Sequence, residues 1–214
     1  MNSKYHDELS PRDLALIDLT AFIARQDFGP GWLPSVHGAL RDAVPREDIE
    51  ELVLHLSIYV GFPKALQTFQ RLKQIGAEPF RSALSHGVRP AAPGQFNFFR
   101  QKEIQDALYA VHPDFGWIAG TNAVALCDRG GLTPRERALV TLASDVCQEV
   151  FEGPFQIHVR MVRDCGGEMS EIAALLEHLD GQAPERALLR ARAIFFTLMN
   201  DLSVSQRSTE CAVV

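Results

Sequence analysis

Residues Leu9 to Leu56 align without a gap on Leu132 to Leu179, at an offset of 123 positions. Twelve of the 48 pairs are identical: Leu9, Pro11, Arg12, Ala15, Leu16, Leu19, Phe28, Val36, Ile49, Leu52, His55 and Leu56 recur as Leu132, Pro134, Arg135, Ala138, Leu139, Leu142, Phe151, Val159, Ile172, Leu175, His178 and Leu179. Composition alone gives roughly three. Asp13 facing Glu136, Ile17 facing Val140 and Trp32 facing Phe155 add conservative pairs. The chain reads as an internal duplication, so the fold must supply one framework twice.

The repeated text is helical. Ser10-Pro11-Arg12-Asp13 offers a capping hydroxyl, a proline at the first helical position and a carboxylate in the first turn. Thr133-Pro134-Arg135-Glu136 repeats it, with glutamate three residues after threonine as in a capping box. Glycine and proline in Phe28-Gly29-Pro30-Gly31 and Phe151-Glu152-Gly153-Pro154 break the chain before a second helix. Ile49, Leu52, Val53, Leu56, Tyr59 and Val60 form one apolar stripe at helical spacing. A fourth helix carries Ala65, Leu66, Phe69 and Leu72, helices are expected at Phe96 to Val111 and Phe115 to Cys127, and Pro184 opens a last one. No stretch sustains period-two alternation, so the fold class is all-α. The expected division is repeat 1 at 9–75, a connection at 76–107, repeat 2 at 108–200 and a tail at 201–214, disordered from Ser203.

An apolar fraction of 46% over 214 residues is ample for a core. A net charge of −6 with no basic run argues against a nucleic-acid partner. No apolar run approaches membrane length and MNSKYHDELS lacks a signal-peptide core, so a cytoplasmic protein with no membrane partner is expected. Cysteines 127, 147, 165 and 211 form no CxxC and suit reduced thiols. Nucleotide-binding, P-loop, α/β-hydrolase and zincin motifs are missing, and no metal site is expected from the cysteine and histidine spacings.

Gly38-Ala39-Leu40, Val44-Pro45-Arg46-Glu47-Asp48-Ile49-Glu50-Glu51, His55-Leu56, Tyr59 and Gly61-Phe62-Pro63-Lys64-Ala65 resemble the carboxymuconolactone decarboxylase family. His158, Gly166 and Glu171-Ile172, preceded by Pro113-Asp114-Phe115 and by Gly131 to Arg137, resemble it independently, so the likeness covers most of residues 9 to 74 and 108 to 179. It implies two fused copies of a helical unit shared with alkylhydroperoxidase D. It also implies a homo-oligomer, a trimer of fused pairs imitating a hexamer. Departures matter as much. The family's histidine falls on Ser35 in copy one, while copy two lacks the tyrosine and GxP element after Leu179. Copy one keeps Tyr59 and copy two keeps His158, which points to one composite site. The two cysteines of a thiol peroxidase would fall on Phe151 and Pro154, which disfavours peroxide chemistry.

The candidate catalytic residues are therefore His158, Glu152 and Asp145, with Tyr59 and His55 as substrate-binding groups. Histidine exchanges protons near neutral pH, and decarboxylating an unsaturated lactone acid requires a proton delivered to carbon; no cofactor is needed. Glu152 or Asp145 would orient the imidazole. Each has a bland counterpart: a hydrogen-bonded core histidine at 158, a solvated carboxylate at 152, core packing at Tyr59, and a structural role for His55, which recurs as His178. Arg12 and Arg135 suit carboxylates within the fold. The resemblance implies a lyase or related proton-transfer enzyme acting on a small carboxylated or lactone-like substrate. A non-catalytic ligand-binding or scaffolding homologue is the alternative.

Overall fold

In a computed structural model, which describes residues 8–42, 44–75 and 89–211, proline and capping residues start the helices where the sequence places them. The elements are α1 (Pro11–Arg25), α2 (Trp32–Asp42), α3 (Arg46–Val60), α4 (Phe62–Lys73), a short 3-10 turn (Phe98–Arg100), α5 (Lys102–Val111), α6 (Pro113–Cys127), α7 (Pro134–Gln148), a kinked turn (Phe151–Phe155), α8 (Gln156–Asp164), α9 (Met169–His178) and α10 (Glu185–Cys211). The described residues form no strand beyond one isolated bridge, Pro90 with Arg129. The fold is all-α.

Helix α7 is the axis of the molecule. Every residue from Glu136 to Cys147 is buried. It packs most extensively against α1 and also touches α3, α8, α9 and α10. Because a helix enclosed on all sides has no solvent face, its polar residues must find partners inside the protein.

The offset of 123 recurs in the contacts. Ser10 and Asp13 close a full capping box on α1, as Thr133 and Glu136 do on α7; the shorter aspartate suffices. The helices end on Gln26 and Glu149, both in left-handed backbone at φ 57° and 61°. Arg12 bonds Glu136 (2.6 Å) and Asp48 (2.8 Å), while Arg135 bonds Asp13 (2.9 Å) and Glu171 (2.8 Å). His55 meets Thr141 at 2.9 Å, and His178 meets Asp18 at 2.6 Å. Arg12–Asp48 and Arg135–Glu171 match within their own stretches, and the other contacts exchange partners between the two stretches, as a two-fold relation would. Phe28 stacks edge-on to Trp32 (5.2 Å) as Phe151 does to Phe155 (5.6 Å).

Two expectations change. The helix expected from Phe96 begins only at Lys102, because Asn97 caps Phe99, the buried Phe98 and Phe99 tighten into a 3-10 turn, and Gln101 is extended at ψ 134°. The last helix continues to Cys211 where disorder was expected from Ser203, since nothing in the stretch breaks it. Most of the connection at 76–107 expected to be irregular up to Pro93 falls on 76–88, outside the described residues.

Candidate active site

Helix α3 presents Glu51, His55 and Tyr59 at successive i, i+4 positions, and α7 presents Arg137, Thr141 and Asp145 at the same spacing. Facing each other, the two rows make a buried polar ladder. At its foot Arg137 Nη2 donates to Glu51 Oε1 at 2.9 Å, and Glu51 also accepts from Arg129 Nε at 2.9 Å. In the middle His55 Nε2 lies 2.9 Å from Thr141 Oγ1 and 3.3 Å from the Arg137 carbonyl. At the top, His158 from α8 places Nδ1 2.5 Å from Asp145 Oδ2. The Tyr59 ring bridges the upper rungs, 5.3 Å from the His55 ring and 5.6 Å edge-on from the His158 ring.

The kinked turn explains how His158 arrives there. Gly153 takes φ 86°, in the left-handed region that glycine adopts without strain, and Glu152 leaves helical geometry with ψ 106°. The chain then re-enters helix at Gln156 with Phe151 and Phe155 buried beneath it. His158 is 7% exposed and Asp145 3%. No hydrogen bond to His158 Nε2 occurs among the described residues, so Asp145 engages one ring nitrogen and the other stays unbonded there.

Burial sets the protonation of the ladder. It raises the Asp145 carboxyl, with His158 pulling the other way. It drives His55 well below the ordinary histidine range, helped by the charge of Arg137, so His55 is neutral at neutral pH. It also raises Tyr59, which keeps its proton. Among the described residues the Tyr59 hydroxyl has no hydrogen-bond partner. Thr141 is near enough to affect it, but the threonine hydroxyl is engaged by His55.

The structure thus brings Asp145, His158, Tyr59 and His55 together. It sets Glu152 apart: its side chain is 91% exposed and bonds Arg190 of α10 at 3.1 Å, so it does not reach the imidazole here. Arg12 and Arg135 bond carboxylates within the fold, as their recurrence suggests, and Arg160 turns outward to Asp164. Cys127, Cys147 and Cys165 are free thiols. Among the described residues no three metal-ligating side chains converge, and no helix is long and apolar enough to cross a membrane. The sequence reading passed over Glu51, Arg137 and Thr141. Their signal was present as polar residues at i, i+4 within two apolar helices, but which helices face each other is a tertiary fact.

No family model and no curated protein matches this chain. Among solved structures it is similar to "a putative gamma-carboxymuconolactone decarboxylase subunit" from Burkholderia xenovorans LB400, with a TM-score of 0.51 and 20% identity over 91% of this chain and 81% of that one. A likeness at that identity is one of fold, and the chain is an all-α protein with a carboxymuconolactone decarboxylase-like fold.

Proposed function

We propose that this protein is a cofactor-independent proton-transfer enzyme whose working group is His158. The observation that carries the reading is the 2.5 Å contact between Asp145 and His158 Nδ1 in a nearly water-free setting. A carboxylate bound to one ring nitrogen fixes the tautomer and stabilises the imidazolium, so Nε2 can accept a proton from substrate or return one to carbon. Tyr59, with an uncommitted hydroxyl beside the ring, would donate to a developing oxyanion. A small carboxylated or lactone substrate that loses carbon dioxide, or shifts a double bond, requires this exchange of a proton at carbon. Its reference is the name carried by the solved relative. His55, neutral and bonded to Thr141, would hold Tyr59 in place.

Wild type and His158→Ala would be screened by mass spectrometry against unsaturated lactone acids, following loss of carbon dioxide or a moved double bond. The reading expects turnover that falls at least ~10²-fold in the variant, the usual contribution of a general acid or base. Equal activity in a variant that keeps its helical circular dichroism would remove His158 from the mechanism.

The depth of the dyad and the Phe22 and Ser35 pair at the corresponding positions of the first repeat favour a second reading, a ligand-binding or scaffolding homologue without turnover. We also infer a tandem duplication with boundaries at 9–75 and 108–200, and a homo-oligomer, with a trimer favoured. Phe115, Trp117 and Ile118 on α6 are more than half exposed, Trp117 by 62%, which is costly for an isolated chain. Native mass spectrometry counts the subunits. The free thiols Cys127, Cys147 and Cys165 fit a reducing cytoplasm.

A further inference from the structure

Among the described residues Arg137 is the largest side chain to be almost wholly enclosed, at 1% exposure. Its Nη2 is used twice, by Glu51 and by the Arg129 carbonyl at 2.9 Å each. Among the described residues its Nε and Nη1 have no hydrogen-bond partner. Leaving buried donors of a charged group unmet is among the more expensive things a fold can do. Charge compounds the problem. Glu51, the carboxylate that meets Arg137, gives both of its oxygens to Arg129, at 3.0 and 2.9 Å. Asp48, one helical turn away, is held by Arg12 and Arg89. Two guanidiniums therefore share one carboxylate at the foot of the ladder.

Arg137 also lines a small cavity with Phe96, Phe98, Cys127, Pro134, Met161 and Cys165, whose volume of about 10 Å³ admits a single water-sized occupant. The side chains of this wall are donors or apolar. Burial pushes the Cys127 thiol up to about 11 and the Cys165 thiol up to about 12, so both carry S–H at neutral pH. A water needs acceptors for its own hydrogens as well as donors for its oxygen. As acceptors the wall side chains offer only sulfur, the Met161 thioether and the two thiols, all of them weak. An ion that solely accepts, and carries the missing negative charge, matches these donors better than water does.

We propose that this cavity is a binding site for a monovalent, single-atom anion of the halide class, held by Arg137 with the Cys127 and Cys165 thiols as secondary donors. The site lies at the opposite end of the ladder from His158 and is independent of the catalytic reading.

The test uses the intact protein exchanged into gluconate buffer. Thermal unfolding is then followed in sodium chloride, sodium bromide and sodium gluconate at matched ionic strength. The proposal expects a saturable rise in midpoint with chloride and bromide but not with gluconate, roughly 3–5 °C for each tenfold increase above half-saturation. Bromide-soaked crystals should show an anomalous peak within hydrogen-bond reach of Arg137 Nε or Nη1. Arg137→Gln should abolish the halide response; since that variant can fail to fold, Cys165→Met, which fills the mouth and leaves Arg137 intact, should abolish it too. An equal rise in gluconate, or a water alone in the cavity, overturns the proposal. So does a bromide peak without a halide-specific shift, which would mean binding at crystal concentration only.

Discussion

Where residues 132–179 bury a carboxylate against an imidazole, Asp145 on His158, the aligned residues 9–56 pack Phe22 edge-on to Trp32 at 6.1 Å and leave Ser35 half-buried. The surroundings of the two places are alike. Both have a capped helix ending in left-handed backbone, a paired aromatic beneath, and an arginine tied to two carboxylates. Among the differences are the residues that would carry chemistry. The framework contacts therefore do not depend on the Asp–His pair, and a half that lacks it is held by the same forces as the half that has it.

That comparison can be broken at four points. The largest effect is expected in the core. Leu16→Ala and Leu139→Ala truncate matching, fully buried leucines, and each should cost ~2–5 kcal/mol in chemical denaturation. Losses differing by more than about 2 kcal/mol would show that the halves are not equivalently packed. Next is activity: once a substrate is found, His158→Ala should lose at least ~10²-fold while Ser35→Ala changes nothing measurable. A matching loss from Ser35→Ala would end the single-site reading.

The arginines follow. Both are about a quarter exposed, so their pairs stand between surface and buried bridges. Removing either should cost about 1–3 kcal/mol. Arg135→Ala should cost more than Arg12→Ala, because Asp48 keeps Arg89 when Arg12 is lost, and urea midpoints of the two variants decide the order. The smallest effect concerns pH. Burial raises the Asp13 carboxyl, but Arg135 and Ser10 outweigh it and hold the group below its ordinary value. Its stabilisation is thus present above an unfolded value of roughly 4 and is lost as pH falls through the lower folded value. Asp13→Asn should flatten the acid limb of the stability curve, and an unchanged limb would show that the contact to Arg135 contributes nothing.

The helices were legible because their signals are local. Ser10 and Thr133 mark starts, Gly29 and Gly153 mark breaks, and the stripe from Ile49 to Val60 marks a core face, each within a few residues. The break at Gln101 was not, because it depends on Asn97 reaching Phe99 and on two phenylalanines turning inward together. Of the candidate site, His158 was found through the resemblance and Asp145 through helix geometry. Glu152, two residues before Pro154, looked as close to His158 in sequence as any carboxylate, yet the kink turns it toward Arg190. Arg137 was overlooked because a single arginine in a helix carries no mark of burial until the helices around it are placed.

By itself the sequence determined the all-α class, the places where helices begin and break, and the match between residues 123 apart, since periodicity, capping and self-similarity are properties of the chain. Only the tertiary structure decided that α3 lies against α7, so that Glu51, His55 and Tyr59 meet Arg137, Thr141 and Asp145. Packing enclosed that seam. An ordinary aspartate and histidine thereby became a tightly bonded pair, and an ordinary arginine became a buried charge with two unmet donors.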